Sequence, residues 1–296
     1  MSFHAFSHLD DHEWLAVLER SLNETVIDGV EFPGFPSIDM QVGSVGSSGK
    51  TTLLEAFAFY RHLKNAYAQH VGRLSAHAKI LDFGIGWGRI IRFFLKDVAT
   101  GGLHGVDVRS DFIELCRLAR LPAKIIRTTP TGTLPYPKCF FDIVYAYSVF
   151  THLPEDMQHL WLAEIARVLR PGGLFVATVQ PPRFLDFCRS IDEKAAAESG
   201  WFAGLRNHVK SRTHLDEDLA RDGIIYFPSG GGPALPSVTY GDIILSPNYI
   251  KNRWSTCFRV IEVLDDPSRF TQAVVTALKP VTLWGKLSAI FRNAPH

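Results

Sequence analysis

The stretch Ile80-Leu81-Asp82-Phe83-Gly84-Ile85-Gly86-Trp87-Gly88-Arg89 decides the reading of this chain. An apolar run, Ala78 to Phe83, stops at three glycines on alternate positions. Behind them Ile90, Ile91, Phe94, Leu95 and Val98 fall on one face of a helical pattern. The segment therefore predicts a buried strand, a tight turn and the first turn of an amphipathic helix. Glycines at such a turn let the backbone pass close under a ligand, and a helix N-terminus offers unpaired N–H groups. About 20 residues on, Leu103-His104-Gly105-Val106-Asp107 reads as a second strand ending in a carboxylate. Nucleotide-binding folds place there the acid that holds ribose hydroxyls. Together these features imply a site for a nucleoside-containing cofactor.

Glycine spacing narrows the cofactor. The dinucleotide fingerprint is G-x-G-x-x-G, whereas Gly84-x-Gly86-x-Gly88 is one residue too short. Downstream, Phe141-Asp142-Ile143-Val144-Tyr145-Ala146-Tyr147-Ser148 reads as an apolar strand, and Val149 to Leu153 as the loop after it. Pro154 suits the first position of a helix, where its missing N–H does no harm. Glu155 and Asp156 complement the helix dipole. Leu160, Trp161, Ile165, Val168 and Leu169 make the buried face, with Arg167 and Arg170 at the C-terminal end. Arg170-Pro171-Gly172-Gly173 then predicts a break, followed by a strand from Leu174 to Val179.

This series resembles the class I S-adenosylmethionine-dependent methyltransferases. The three glycines with Asp82 are similar to the first motif of that superfamily, and Gly86-Trp87-Gly88-Arg89 looks like the variant of a subset of small bacterial-type enzymes. Phe141 to Val144 and Leu169-Arg170-Pro171-Gly172-Gly173-Leu174-Phe175 are similar to the fourth and fifth motifs. The resemblance is close over 78–180 and looser from about 240 to 280. It implies an α/β fold: a Rossmann-like, doubly wound sheet of about seven strands, mostly parallel with an antiparallel last strand. It also implies S-adenosylmethionine as cofactor, with methyl transfer to an O, N or C nucleophile.

Residue by residue, the resemblance puts Gly84 and Gly86 beneath the methionine part of the cofactor and Asp82 near its amino group. Asp107 accepts bonds from the ribose hydroxyls, and Val108 lies against the adenine. Tyr147, Ser148 and Phe150 line the methionine and sulfonium region. Arg89 either pairs with the cofactor carboxylate or forms a surface ion pair. Where the family often has an acidic residue for the adenine amino group, this chain has Thr128 and Thr129, which leaves that task to backbone groups. A sulfonium methyl is already activated, so the protein must align a nucleophile, exclude water and, for a hydroxyl or amine, remove a proton. His152, in the loop after the fourth strand, is the first candidate base; the structural alternative is that it caps or packs the helix beginning at Pro154. His208, His214, Tyr226 and Tyr240 are further candidates.

Composition suits an ordinary enzyme. Of 296 residues nearly half are hydrophobic, ample for a large core. A net charge of +1 gives no electrostatic footprint for nucleic acid, and a small-molecule substrate is expected. Cys116, Cys139, Cys188 and Cys257 lack the close pairs of a zinc site and read as reduced, largely buried thiols of a cytoplasmic protein. The start of the chain is polar and His-rich rather than a signal peptide, and no apolar run is long enough to span a bilayer.

Three regions follow. Residues 1–77 form an N-terminal helical elaboration with helices around 10–22 and 51–70. Residues 78–280 form the methyltransferase-like domain, with a substrate cover inserted at 181–240 and a closing helix (Pro247 to Phe258) and two strands (Arg259 to Leu264, Gln272 to Leu278). Residues 281–296 make an amphipathic tail, with Leu283, Trp284, Leu287, Ile290 and Phe291 on one face; packing on protein is favoured over contact with a membrane surface.

Competing readings rest on less. Ser44-Val45-Gly46-Ser47-Ser48-Gly49-Lys50-Thr51 nearly spells a phosphate-binding loop, but its first glycine is replaced and Ser37 to Val42 is a poor strand, so a nucleotide hydrolase ranks low. His4, His8 and His12, spaced for one helical face near Asp10 and Asp11, are read as solvated histidines of a frayed end rather than metal ligands. A non-catalytic cofactor-binding scaffold is the non-enzyme alternative, and an aminopropyl or other alkyl transferase is a further one.

Overall fold

Aromatic packing and capped helix ends shape the N-terminal part of the chain in a computed structural model that describes residues 3–231 and 235–281. Asp10 caps α1 (Asp11–Arg20): its carboxylate accepts the N–H groups of His12 and Glu13, and the Glu13 carboxylate accepts the N–H of Asp10. Strands β1 (Val26–Ile27) and β2 (Val30–Glu31) form a hairpin whose two turn residues, Asp28 and Gly29, both have positive φ, as a tight primed turn requires. Helices α2 (Ile38–Val45) and α3 (Gly49–His70) follow.

The chain forms two compact units, one of residues 3–146 and 168–174, the other of 147–167 and 175–281. The first holds the strands β3 (Ile80–Phe83), β4 (Leu103–Asp107), β5 (Lys124–Arg127) and β6 (Phe141–Ala146), with α4 (Ser110–Leu118) between β4 and β5. β3 and β4 are buried throughout, and β3 runs parallel to both β4 and β6, and β4 to β5. Strands so covered read as continuous apolar runs, which is why β3 was legible. Residues 1–77 share this core. Trp14 is fully buried and its indole N–H donates to the Phe93 carbonyl (2.9 Å), while Phe57, Tyr60, Phe94 and Tyr145 pack ring against ring with Phe93 or one another.

The second unit begins at Tyr147, takes in α5 (Glu155–Val168) up to Arg167 and resumes in the C-terminal part of β7 (Leu169–Val179). Helices α6 (Arg183–Ser190), α7 (Glu193–Glu198), α8 (Gly200–Ser211) and α9 (Leu215–Asp222) then pack around an antiparallel pair, β8 (Ile224–Phe227) and β9 (Asp242–Leu245). Helix α10 (Pro247–Arg253) and the antiparallel β10 (Arg259–Leu264) and β11 (Ala273–Leu278) complete it. The seven-stranded sheet has the order β10-β11-β7-β6-β3-β4-β5, the mostly parallel doubly wound arrangement expected. No helix among the described residues is long and apolar enough to cross a membrane.

Two local expectations fail. The segment after the glycines is a 3-10 helix, Ile91–Lys96, not an α-helix. All six of its residues are buried, and Arg92 is drawn back to the Gly88, Pro33 and Gly34 carbonyls, so packing imposes the tighter turn. Arg170 to Gly173 do not form a break, because β7 already begins at Leu169. There Arg170 pairs with Asp142 (2.6 Å) and Tyr67 (3.1 Å). The amphipathic tail lies outside the described residues, apart from Val281.

Candidate active site

At the end of β3 the chain turns through Gly84, Gly86 and Gly88 with φ of 84°, 54° and 80°, a left-handed backbone that side chains resist. The turn is fastened to β4. The N–H groups of Gly84 and Ile85 donate to the Val106 carbonyl (2.9 and 3.0 Å), and that of Gly86 donates to Asp107 Oδ2 (2.9 Å). Asp107 Oδ1 accepts the Arg109 N–H at 2.9 Å. A carboxylate has about four acceptor positions, so each oxygen of Asp107 keeps one for another donor. Burial raises the Asp107 pKa, against the pull of these backbone bonds.

The glycines serve different ends. A Cβ on Gly86 would meet no atom within 4 Å, whereas one on Gly88 would lie 2.3 Å from Leu121 Cδ2. Gly88 is thus needed for packing, and Gly86 borders open space beside Asp107. On β4, a Cβ at Gly105 would lie 2.2 Å from Ile85 Cδ1, a close approach the sequence pattern did not flag. This cradle lies at the carboxyl ends of β3 and β4, and β3 stands between β4 and β6, where the strand order reverses; open parallel sheets bind ligands at such a point.

Asp82 is buried in β3 and accepts the Tyr145 hydroxyl at 2.8 Å. Burial pushes its carboxyl up to about 8, so near neutral pH it is largely protonated. A cation brought alongside would favour the charged form. Arg89 is buried, donating to Thr52 Oγ1 (3.2 Å) and Glu55 Oε2 (3.0 Å) of α3, an ion pair whose Glu55 end reaches solvent. The Trp87 indole N–H is buried with no hydrogen-bond partner among the described residues. Val108 is half-buried just beyond β4, and the Thr128 N–H donates to the Asp107 carbonyl (2.8 Å).

In the second unit, Tyr147 and Ser148 are half-buried at its first residues. Ser148 has φ 57°, a strained value for a non-glycine. Its N–H donates to Thr178 Oγ1 (2.7 Å) and its hydroxyl accepts from Gln272 Nε2 (2.9 Å). Phe150 is fully buried against Phe175 and Trp254, so its ring is core and not a wall of a site.

The His152 side chain is engaged by the segment leading into β9. Its Nδ1–H donates to the Gly241 carbonyl (2.7 Å), and its own carbonyl accepts the Gly241 N–H (2.9 Å). Tyr240 stacks on the imidazole at 4.5 Å with 13° between the planes. Asp242 Oδ1 stands 3.6 Å from Nδ1. Burial lowers the His152 pKa while the Asp242 carboxylate opposes the fall. Of the other candidates, His208 stacks on Phe227, His214 is exposed beside Glu217, and Tyr226 donates to the Ser237 carbonyl. Sequence reasoning missed Asp242, whose only signal is an acid heading the apolar run Ile243 to Leu245.

Other readings meet plain obstacles. Ser37 caps a helix, so no strand leads into the near-miss phosphate loop, and Lys50 pairs with Glu19 (2.9 Å). His4 sits in a 3-10 turn while His12 lies in α1 facing Arg61 (2.8 Å), so the three histidines do not share a helix face. Cys116 and Cys188 are buried, but Cys139 is exposed and Cys257 half-buried, fewer hidden thiols than expected.

Residues 81–177 match the family described as a methyltransferase domain. This match covers about a third of the chain. The chain is similar to a probable methyltransferase of Aspergillus luteorubrus (31% identity over 126 residues, 37% of this chain and 44% of that protein). It is also similar to a fatty-acid O-methyltransferase of Mycolicibacterium smegmatis (31% over 113 residues, 36% and 38%). Both matches span less than half of the relative's length. Among solved structures, an S-adenosylmethionine-dependent methyltransferase from Mesorhizobium loti aligns with a TM-score of 0.48 and 16% identity over 76% of this chain and 98% of that one.

Proposed function

We propose that this chain is an S-adenosylmethionine-dependent methyltransferase acting on a hydroxyl or amine of a small metabolite. The observation that carries the reading is the left-handed glycine turn bonded through Gly86 N–H to a carboxylate that retains acceptor positions. Open space at Gly86 suits a ligand under which backbone must pass closely. Gly84 and Gly86 would border the methionine part, Asp107 would take the ribose hydroxyls, Val108 would contact the adenine, and Asp82, held protonated by burial, would ionise toward the amino group. When bound, the cofactor supplies a methyl group already activated by a sulfonium charge.

The chain's own task is then alignment, exclusion of water and proton removal. Tyr147, Ser148 and His152, which follow β6 in the chain, would border the reacting methyl. His152 suits the role of base: Nδ1–H is committed to the Gly241 carbonyl, which leaves the Nε2 lone pair to take the proton. A relative named for O-methylation of a fatty acid supports a small-molecule acceptor.

Isothermal calorimetry with S-adenosylmethionine, its demethylated product, NAD and ATP tests the reading. Binding of the first two alone is expected; binding of NAD or ATP in their place overturns it.

A further inference from the structure

Asp242 is almost completely buried, 1% exposed, yet among the described residues no lysine or arginine meets its carboxylate. Its hydrogen-bond donors are neutral: the Trp201 indole N–H reaches both oxygens (3.2 and 3.1 Å) and Ser229 Oγ lies at 3.4 Å. A buried carboxylate in such surroundings is costly unless a positive charge forms nearby. The group that answers is His152, with Nδ1 3.6 Å from Asp242 Oδ1.

The two residues lie 90 positions apart in the sequence and are joined by backbone. The loop carrying His152 is laced to the start of β9: the Gly241 N–H donates to the His152 carbonyl and the Ile243 N–H to the Thr151 carbonyl, both at 2.9 Å. The ring is then fixed three ways. Nδ1–H points at the Gly241 carbonyl, Tyr240 covers one face, and Asp242 stands beside the Nδ1 edge. No hydrogen bond of a described residue engages Nε2. Burial on its own makes a weak base of an imidazole, because the cation must form in a poorly solvated place; a fixed carboxylate within about 4–6 Å offsets that cost.

We propose that Asp242 is a positioning residue that makes His152 a usable base, a role that rests on the methyltransferase reading. As a lone pair of the acceptor oxygen or nitrogen forms the new bond to the methyl carbon, the donor's carbon–sulfur bond would break with its electrons leaving on sulfur, and the acceptor's O–H or N–H proton passes to Nε2. The neutral imidazole becomes an imidazolium, and its charge appears 3.6 Å from a carboxylate already in place. An acceptor of this kind carries a hydroxyl or amine that needs deprotonation; a free carboxylate acceptor would leave the pair without work. The other titratable groups around the pair are Tyr240 on the ring, His208, whose charge acts on Asp242, and Tyr226 and Cys188, which sense the Asp242 charge.

Histidine 15N NMR on the full chain, with the His152 signal assigned by loss in H152Q, tests this without an acceptor. The wild type should show a neutral Nδ1–H tautomer, and D242N should lower the His152 titration midpoint by about 1–3 pH units, with D242E restoring part of it. An unmoved midpoint in folded D242N, or an Nε2–H tautomer in the wild type, overturns the proposal. If D242N does not fold, the wild-type 13Cγ signal of Asp242 decides: it must respond at the His152 midpoint, and a flat signal overturns the pairing. Cofactor calorimetry separates the two claims. Absent S-adenosylmethionine binding overturns the activity and with it the pair's role in it; normal binding with an unmoved His152 midpoint overturns the pair alone.

Discussion

Replacing Asp107 by alanine should damage the cofactor cradle in two measurable ways. The carboxylate accepts the Gly86 and Arg109 N–H groups, each at 2.9 Å. Both donors are partly reachable by water, so their loss should cost folding stability toward the low end of the usual range, about 1–2 kcal/mol in all. Affinity should suffer more. The acceptor position left on each oxygen is where a ribose hydroxyl would bind, and hydrogen bonds to charged groups contribute about 1.5–3 kcal/mol each. Allowing for water that replaces part of this, S-adenosylmethionine should bind about 2–4 kcal/mol more weakly, roughly 30- to 1,000-fold. Asp107→Asn keeps the shape but turns an amide N–H toward one backbone donor, so it should fall between. Because burial raises the Asp107 pKa, wild-type affinity should decline as acid protonates it, and the alanine variant should lack that dependence. Calorimetry gives affinity and urea melting gives stability. A folded alanine variant that binds the cofactor as tightly as the wild type would refute the assignment of Asp107.

Other expectations are independent of the cofactor. Gly88→Ala should destabilise by about 2–4 kcal/mol, since its Cβ would meet Leu121 Cδ2 at 2.3 Å on a left-handed backbone, and a wild-type melting curve would contradict this. His104 is buried among Tyr136, Phe140 and Phe141, and burial pushes its pKa down to about 4. The unfolded chain therefore takes up this proton first, and up to about 3 kcal/mol of stability should vanish as pH falls from about 6.5 to about 4. In the difference between wild type and His104→Leu, the opposite slope from the raised Asp82 carboxyl cancels; a pH-independent difference would exclude the mechanism. Lys50→Ala removes only an exposed pair with Glu19, so melting should shift by less than about 1 kcal/mol, and no ATP hydrolysis should be lost.

The parts of this molecule that sequence revealed are those whose cause is local. β3 and β4 are buried on all sides and read as apolar runs; the glycines mark left-handed backbone; Asp107 ends its strand two residues from the turn it helps to close in Arg109. Long-range packing hid the rest. Nothing near Arg89 announces that Thr52 and Glu55 wait on α3, and nothing near Asp242 announces a histidine 90 residues earlier. The amphipathic pattern of Ile90 to Val98 promised an α-helix, but pattern reports which side is buried and not how tightly the chain winds once Arg92 is tied to Pro33 and Gly34. Phe150 shows the same limit: its position in the loop was suggestive, but its ring had a hydrophobic partner in Trp254.

Trp14 has a bearing on how this chain could be cut or spliced. The matched family stretch starts at residue 81, which invites removal of everything before it. Yet the Trp14 indole is bonded to the carbonyl of Phe93, and Phe57 and Tyr60 lean on Phe93 and Phe94. A chain beginning near residue 78 would present those phenylalanines to water and should aggregate. For recombination between relatives, the heritable module is accordingly the glycine loop together with its N-terminal helices, and a crossover placed between them would trade one half of a lock without its key.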